Sequence, residues 1–159
     1  MKLFVDNAGR TWTVAVSVDA VKRVRDLLKE DLLDIERVFP RLLVDPILLC
    51  DVVYCICKPQ AEAEKISDAD FARAMAGDTI ALAKAALVEE LIDFFPEPSQ
   101  RETLRLVVEK QGQLTQRAAA LIKAKLNRPD LPREIEAALS TVGDSFTNSP
   151  ESSESTPAR

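Results

Sequence analysis

No histidine occurs among the 159 residues, which removes at once the commonest general base, the usual activator of a serine or cysteine nucleophile and the commonest zinc ligand. Aromatic residues make up only 5% of the chain, too few to line a stacking platform for single-stranded nucleic acid. There are four glycines, and the one in Asp6-Asn7-Ala8-Gly9 belongs to a turn without the glycine spacing of a phosphate-binding loop. Long apolar runs are missing too. The longest, from Ile47 to Cys57, is interrupted by Asp51 and falls well short of the roughly 18 residues that a membrane span needs. At the N-terminus only Leu3, Phe4 and Val5 precede the charge of Asp6, so the roughly 7–15-residue apolar core of a secretory signal is not there. A cytoplasmic, non-enzymatic protein without cofactor is the expectation.

What the chain does contain is 47% hydrophobic residues and 30% charged ones, enough for one domain with a real core. Its formal net charge is −5, but the signs are segregated. Residues 30–99 carry 15 acidic against 6 basic side chains, whereas residues 100–128 carry 7 basic against 2 acidic. A basic helix beside an acidic body is either internally complementary or a docking face for an acidic partner.

The patterning predicts a mainly α fold, a bundle of about five to six helices with an N-terminal β-hairpin over residues 2–16 and a disordered C-terminal tail. The domain is expected to span 1–140 and the Ser-, Pro- and Glu-rich tail 141–159. In the hairpin, Lys2–Val5 and Thr11–Val16 flank the turn residues 6–10, and Trp12, Val14 and Val16 alternate onto one apolar face. Asp19 reads as the cap of a first helix to about Lys29, with Val21, Val24, Leu27 and Leu28 on its inner side. Pro40 and Pro46 break the next stretch. A short helix near Arg41–Val44 and a buried one from Asp45 or Pro46 to about Lys58, ended by Pro59, are expected.

Ser67 through Asp70 reads as a capping-box variant opening a helix over 68–76, closed by a left-handed Gly77. Asp78 should cap the most strongly patterned helix, Thr79 to about Phe95, whose Ile80, Ala83, Leu87, Leu91 and Phe94 form one stripe. After Pro96-Glu97-Pro98 a second long helix runs from Ser99 or Gln100 to about Leu126, with Leu104, Val107, Val108, Leu114, Ala118, Leu121 and Ile122 inward. The short connection predicts antiparallel packing of these two long helices, and Gly112 is expected to divide the second. A last short helix is read at Glu134–Leu139.

Three groupings could carry chemistry. Cys50, Cys55 and Cys57 resemble part of a metal site, but on a helix Cys55 and Cys57 lie about 200° apart and nothing completes a tetrahedral set. They read as small buried hydrophobes. The carboxylates Glu89, Glu90 and Asp93, with Asp68, Asp70 and Asp78, read as a solvated face and as helix-start residues rather than an acid–base pair. Arg101, Arg105, Arg117, Lys123, Lys125 and Arg128 could meet phosphates, yet no interleaved aromatics or recognition motif accompany them. Binding of nucleic acid is therefore not expected.

The succession Asp6-Asn7-Ala8-Gly9-Arg10-Thr11-Trp12-Thr13, Val21-Lys22-Arg23-Val24-Arg25, Phe71-Ala72-Arg73-Ala74-Met75-Ala76-Gly77-Asp78 and Leu91-Ile92-Asp93-Phe94-Phe95-Pro96 resembles small proteins of phage and prophage tail modules, some of them similar to tail assembly chaperones. The simplest all-helical chaperones of that class have no place for a hairpin with Trp12. The resemblance implies a non-enzymatic protein that covers the helical tape measure protein during tail morphogenesis. A structural virion component, such as a head–tail connector or tail-completion subunit, is the alternative. Surplus apolar residues on the later half of the second long helix suit a helical partner. The expected contact residues are Leu114, Arg117, Leu121, Ile122, Lys123 and Lys125, and self-association is compatible with the same composition.

Overall fold

A computed structural model describes residues 1–127. Within them the chain forms a two-stranded antiparallel hairpin, β1 (Lys2–Val5) and β2 (Thr11–Val14), followed by six helices: α1 (Val18–Leu28), α2 (Val38–Val44), α3 (Pro46–Ala63), α4 (Asp68–Ala74), α5 (Asp78–Phe94) and α6 (Pro98–Leu126). The fold is thus mainly α with the expected hairpin. The short helix read at Glu134–Leu139 and the tail from 141 lie outside the described residues. The chain divides into two units, Met1–Gly112 and the part from Gln113 onward, with the division inside α6.

The centre of the first unit is α3, because its apolar residues are not confined to one stripe. Leu48, Leu49, Val52, Val53, Cys55, Ile56, Cys57 and Ala61 are all buried, and a helix apolar nearly all round must be surrounded. Helices α1, α2, α4 and α5 and strand β2 all pack on it. Strand β1 lies along α5. The hairpin turns Phe4, Trp12 and Val14 inward. Trp12 meets Phe71 edge to face at 4.9 Å, and Phe71 meets Tyr54 at 5.3 Å, joining β2, α4 and α3 through aromatic contacts.

Several boundaries differ from the sequence reading, each for a local reason. Ser17, not Asp19, caps α1, its hydroxyl accepting from Ala20 N at 3.2 Å. Lys29 closes the same helix in the left-handed conformation, with its N–H bonded to the Arg25 carbonyl. Strand β2 stops at Val14, and Val16 is only partly buried beyond it. Pro40 lies in the first turn of α2, where a missing N–H costs nothing. Gly77 precedes α5 at φ +57° rather than ending α4, and Asp78 is the first residue of α5 rather than its cap. Ser67 does cap α4, accepting from Asp70 N at 3.1 Å while its hydroxyl donates to the Asp70 carboxylate at 2.6 Å.

Pro59 does not end α3, which continues through it to Ala63. A proline inside a helix leaves the carbonyl four residues earlier without its partner. Here that carbonyl belongs to Cys55. Arg23, on α1, donates from Nη1 to the Cys55 oxygen at 3.0 Å and also reaches the Ile56 oxygen at 3.2 Å, so a neighbouring helix supplies the missing bond. Arg23→Met is expected to destabilise the fold by about 1.5–3 kcal/mol, the usual worth of hydrogen bonds to a charged group. In a Pro59→Ala background, where an N–H is restored to position 59, the same substitution should cost at least about 0.5 kcal/mol less. Urea unfolding of the four proteins checks the coupling. Equal costs in both backgrounds would mean that Arg23 acts elsewhere.

The expected antiparallel pairing of α5 and α6 is not the main packing of α5, although Asp93 of α5 meets Arg105 of α6 at 3.9 Å. Helix α5 instead packs on β1 and α3. Leu104 is the buried residue of α6 and Val107 and Val108 are half-buried against the core. Gly112 does not interrupt α6.

Candidate functional site

The residues singled out for partner binding sit on the later half of α6. Leu114, Leu121 and Ile122 are 58%, 67% and 58% exposed, and Arg117, Lys123 and Lys125 are exposed as well. On a helix, steps of four, seven and eight residues return to one side. Leu114, Ala118, Leu121 and Ile122 therefore form a single apolar stripe. Lys125 continues it and Arg117 borders it. Lys123 does not join them, since two residues beyond Leu121 is about 200° around the axis. The side of α6 that presents Leu104 and Val107 to the core has the same periodicity, which accounts for reading the whole stripe as inward from the sequence.

The carboxylates form ion pairs rather than an acid–base couple. Glu89 holds Lys2 Nζ at 2.7 Å and raises its pKa. Asp93 lies 3.9 Å from Arg105. Glu90, read from the sequence as part of a polar face, is buried and pairs with the amino group of Met1. The position is buried because α5 is flanked by β1, a neighbour that helical periodicity alone does not supply.

The cysteines are free. Burial pushes the Cys57 thiol up to about 12, and its Sγ donates to the Thr13 carbonyl at 3.5 Å. Cys55 is raised by burial and then by Asp51, and so is Cys50. Thiols held protonated at neutral pH are poor nucleophiles and poor metal ligands. Among the described residues no three His, Cys, Asp or Glu side chains are grouped to hold a metal ion.

An open groove of about 420 Å³, missed by the sequence reading, brings Asp51, Tyr54, Cys55 and Lys58 of α3 beside Leu27, Leu28 and Asp68. The Asp51 pKa is raised by burial and by the charges of Asp68 and Asp45. Its signal in the sequence was weak, since Asp51 simply interrupts an apolar run.

Among the described residues the most fully buried charge is Asp6, in the hairpin turn, with its carboxylate wholly covered. It accepts from Trp12 Nε1 at 2.8 Å, Arg10 Nε at 2.7 Å and the N–H groups of Ala8 and Arg10, both at 2.9 Å. Burial pushes its pKa up, but these hydrogen bonds outweigh that and hold it below the ordinary value. The adjacent Asn7 donates from its side chain to the Ala76 carbonyl and accepts from Thr79 Oγ1 at 2.9 Å, fastening the turn to the start of α5. All four acceptor sites on Asp6 are filled internally, so this cluster is structural.

No helix among the described residues is long and apolar enough to cross a membrane. Comparison of the chain with protein-family models, curated proteins and solved structures finds no match.

Proposed function

We propose that this protein is a non-enzymatic phage tail assembly chaperone, acting in the cytoplasm of the host cell, which covers the apolar stripe of the helical tape measure protein until the tail tube assembles. The observation that carries the reading is the exposed stripe Leu114, Ala118, Leu121 and Ile122 with Arg117 and Lys125 beside it. A helix of this kind packs against another amphipathic helix, burying both apolar sides, and the basic residues speed encounter with acidic segments. The resemblance of the hairpin, α4 and the end of α5 to tail-module proteins supplies the choice of partner.

Co-expression with the tape measure protein of the same phage or prophage is the test. The partner is expected to be soluble with this protein and insoluble without it, and the complex should weaken as salt rises. Leu121→Glu should abolish the rescue. If solubility is unchanged and no complex is recovered at low salt, the chaperone reading fails. Finding the chain in purified particles would favour a structural virion component.

A further inference from the structure

The two edges of the hairpin are treated differently by the fold. On β2 three of the four outward groups of Thr11 and Thr13 are covered: Thr13 N donates to Gln60 Oε1 at 3.0 Å, Gln60 Nε2 donates to the Thr11 carbonyl at 2.7 Å, and the Cys57 thiol reaches the Thr13 carbonyl. The Gln60 side-chain amide thus stands in for a neighbouring strand. These bonds also fix the parity of the ladder. Thr11 and Thr13 turn their backbone groups away from β1, and they are paired with Val5 and Leu3. Leu3 and Val5 must therefore turn their own N–H and C=O groups away from β2. The bond from Asp6 N to the Arg10 carbonyl continues the same parity, with even-numbered residues of β1 facing β2. Among the described residues no loop, cap or side-chain bond reaches the outward groups of Leu3 and Val5.

The side chains at these two positions are exposed as well, 64% for Leu3 and 48% for Val5. An edge is normally blunted by proline, a bulge or a charge on the strand. Strand β1 has only Lys2, already paired with Glu89 on α5. Four open backbone groups and two exposed apolar side chains on one extended segment define the occupant as another extended strand.

We infer that β1 is a dimerisation edge that pairs antiparallel with β1 of a second copy, making a four-stranded sheet across a two-fold axis at Phe4. The edge is complementary to itself. Leu3 of one copy falls opposite Val5 of the other, and the reverse, so each pair exchanges two N–H···O=C bonds and all eight open groups are satisfied. On the outer face Leu3 and Val5 then cover the Val5 and Leu3 side chains across the axis. Leu82 is exposed on the flank of α5 that also carries Glu89, and the incoming strand lies along that flank. This inference is independent of the chaperone reading, which uses the other end of the chain.

Sedimentation velocity of the full chain over a concentration series tests it. A monomer–dimer equilibrium is expected, with the dissociation constant raised roughly tenfold or more by Val5→Pro. That substitution removes an outward N–H and leaves the bonds to β2 in place. Leu3→Lys, which changes no backbone group, should also weaken the dimer. Unchanged fluorescence of the buried Trp12 shows that each variant retains the hairpin. In hydrogen exchange, the amides of Leu3 and Val5 should become protected as concentration rises. A wild-type chain that stays monomeric, a dimer indifferent to both variants, or Leu3 and Val5 amides whose exchange ignores concentration would each overturn the proposal. Saturable protection by an unrelated extended peptide, without self-association, would assign the edge to a foreign strand instead.

Discussion

Asp6→Ala is expected to destabilise the protein by about 3–5 kcal/mol, the usual cost of breaking a buried charged pair by removing one partner. The substitution leaves the Trp12 indole N–H buried without an acceptor and the Arg10 guanidinium without its counter-charge. Asn at the same position keeps the shape and one acceptor oxygen, so it should cost less. The pH dependence has a definite sign. Because the folded carboxyl lies below its ordinary value of 3.8, its contribution is fully present above that value and is lost as pH falls through the lower folded one. Denaturant titrations of the wild type and Asp6→Asn at neutral and acidic pH check this. The gap between the two should narrow in acid, and a constant gap would show that the carboxylate charge contributes nothing.

Leu104→Ala is expected to cost about 2–5 kcal/mol, as truncation of a wholly buried leucine does, while Leu121→Ala on the same helix should change stability by less than about 0.5 kcal/mol. The contrast follows from exposure, 0% against 67%, at positions that the apolar pattern does not distinguish. Thermal or urea unfolding of the purified chain measures both. If Leu121→Ala costs as much as Leu104→Ala, the later stripe is packed in solution and is not available to a partner.

Much of the fold was legible because its determinants are local. The turn residues 6–10 bring β1 and β2 together, Ser67 caps α4, and the spacing of Leu87, Leu91 and Val88 marks α5, each within a few residues of where it acts. The apolar candidate contact residues on α6, Leu114, Leu121 and Ile122, were equally legible as a stripe. Whether that stripe was covered was not, since periodicity shows which residues share a side and says nothing of what lies opposite.

The sequence by itself determined the order and type of the elements, the absence of histidine chemistry and the two-sided apolar character that makes α3 a central helix. Tertiary structure decided the rest. Pro59 sits inside a helix because Arg23, 36 positions away in the chain, caps the freed carbonyl. Glu90, at a position that helical periodicity reads as polar, is buried because β1 lies against α5. One edge of the hairpin is closed by Gln60 and the other left open. In each case the deciding group belongs to a different element, and a buried polar atom takes whichever partner the packing brings within hydrogen-bond reach.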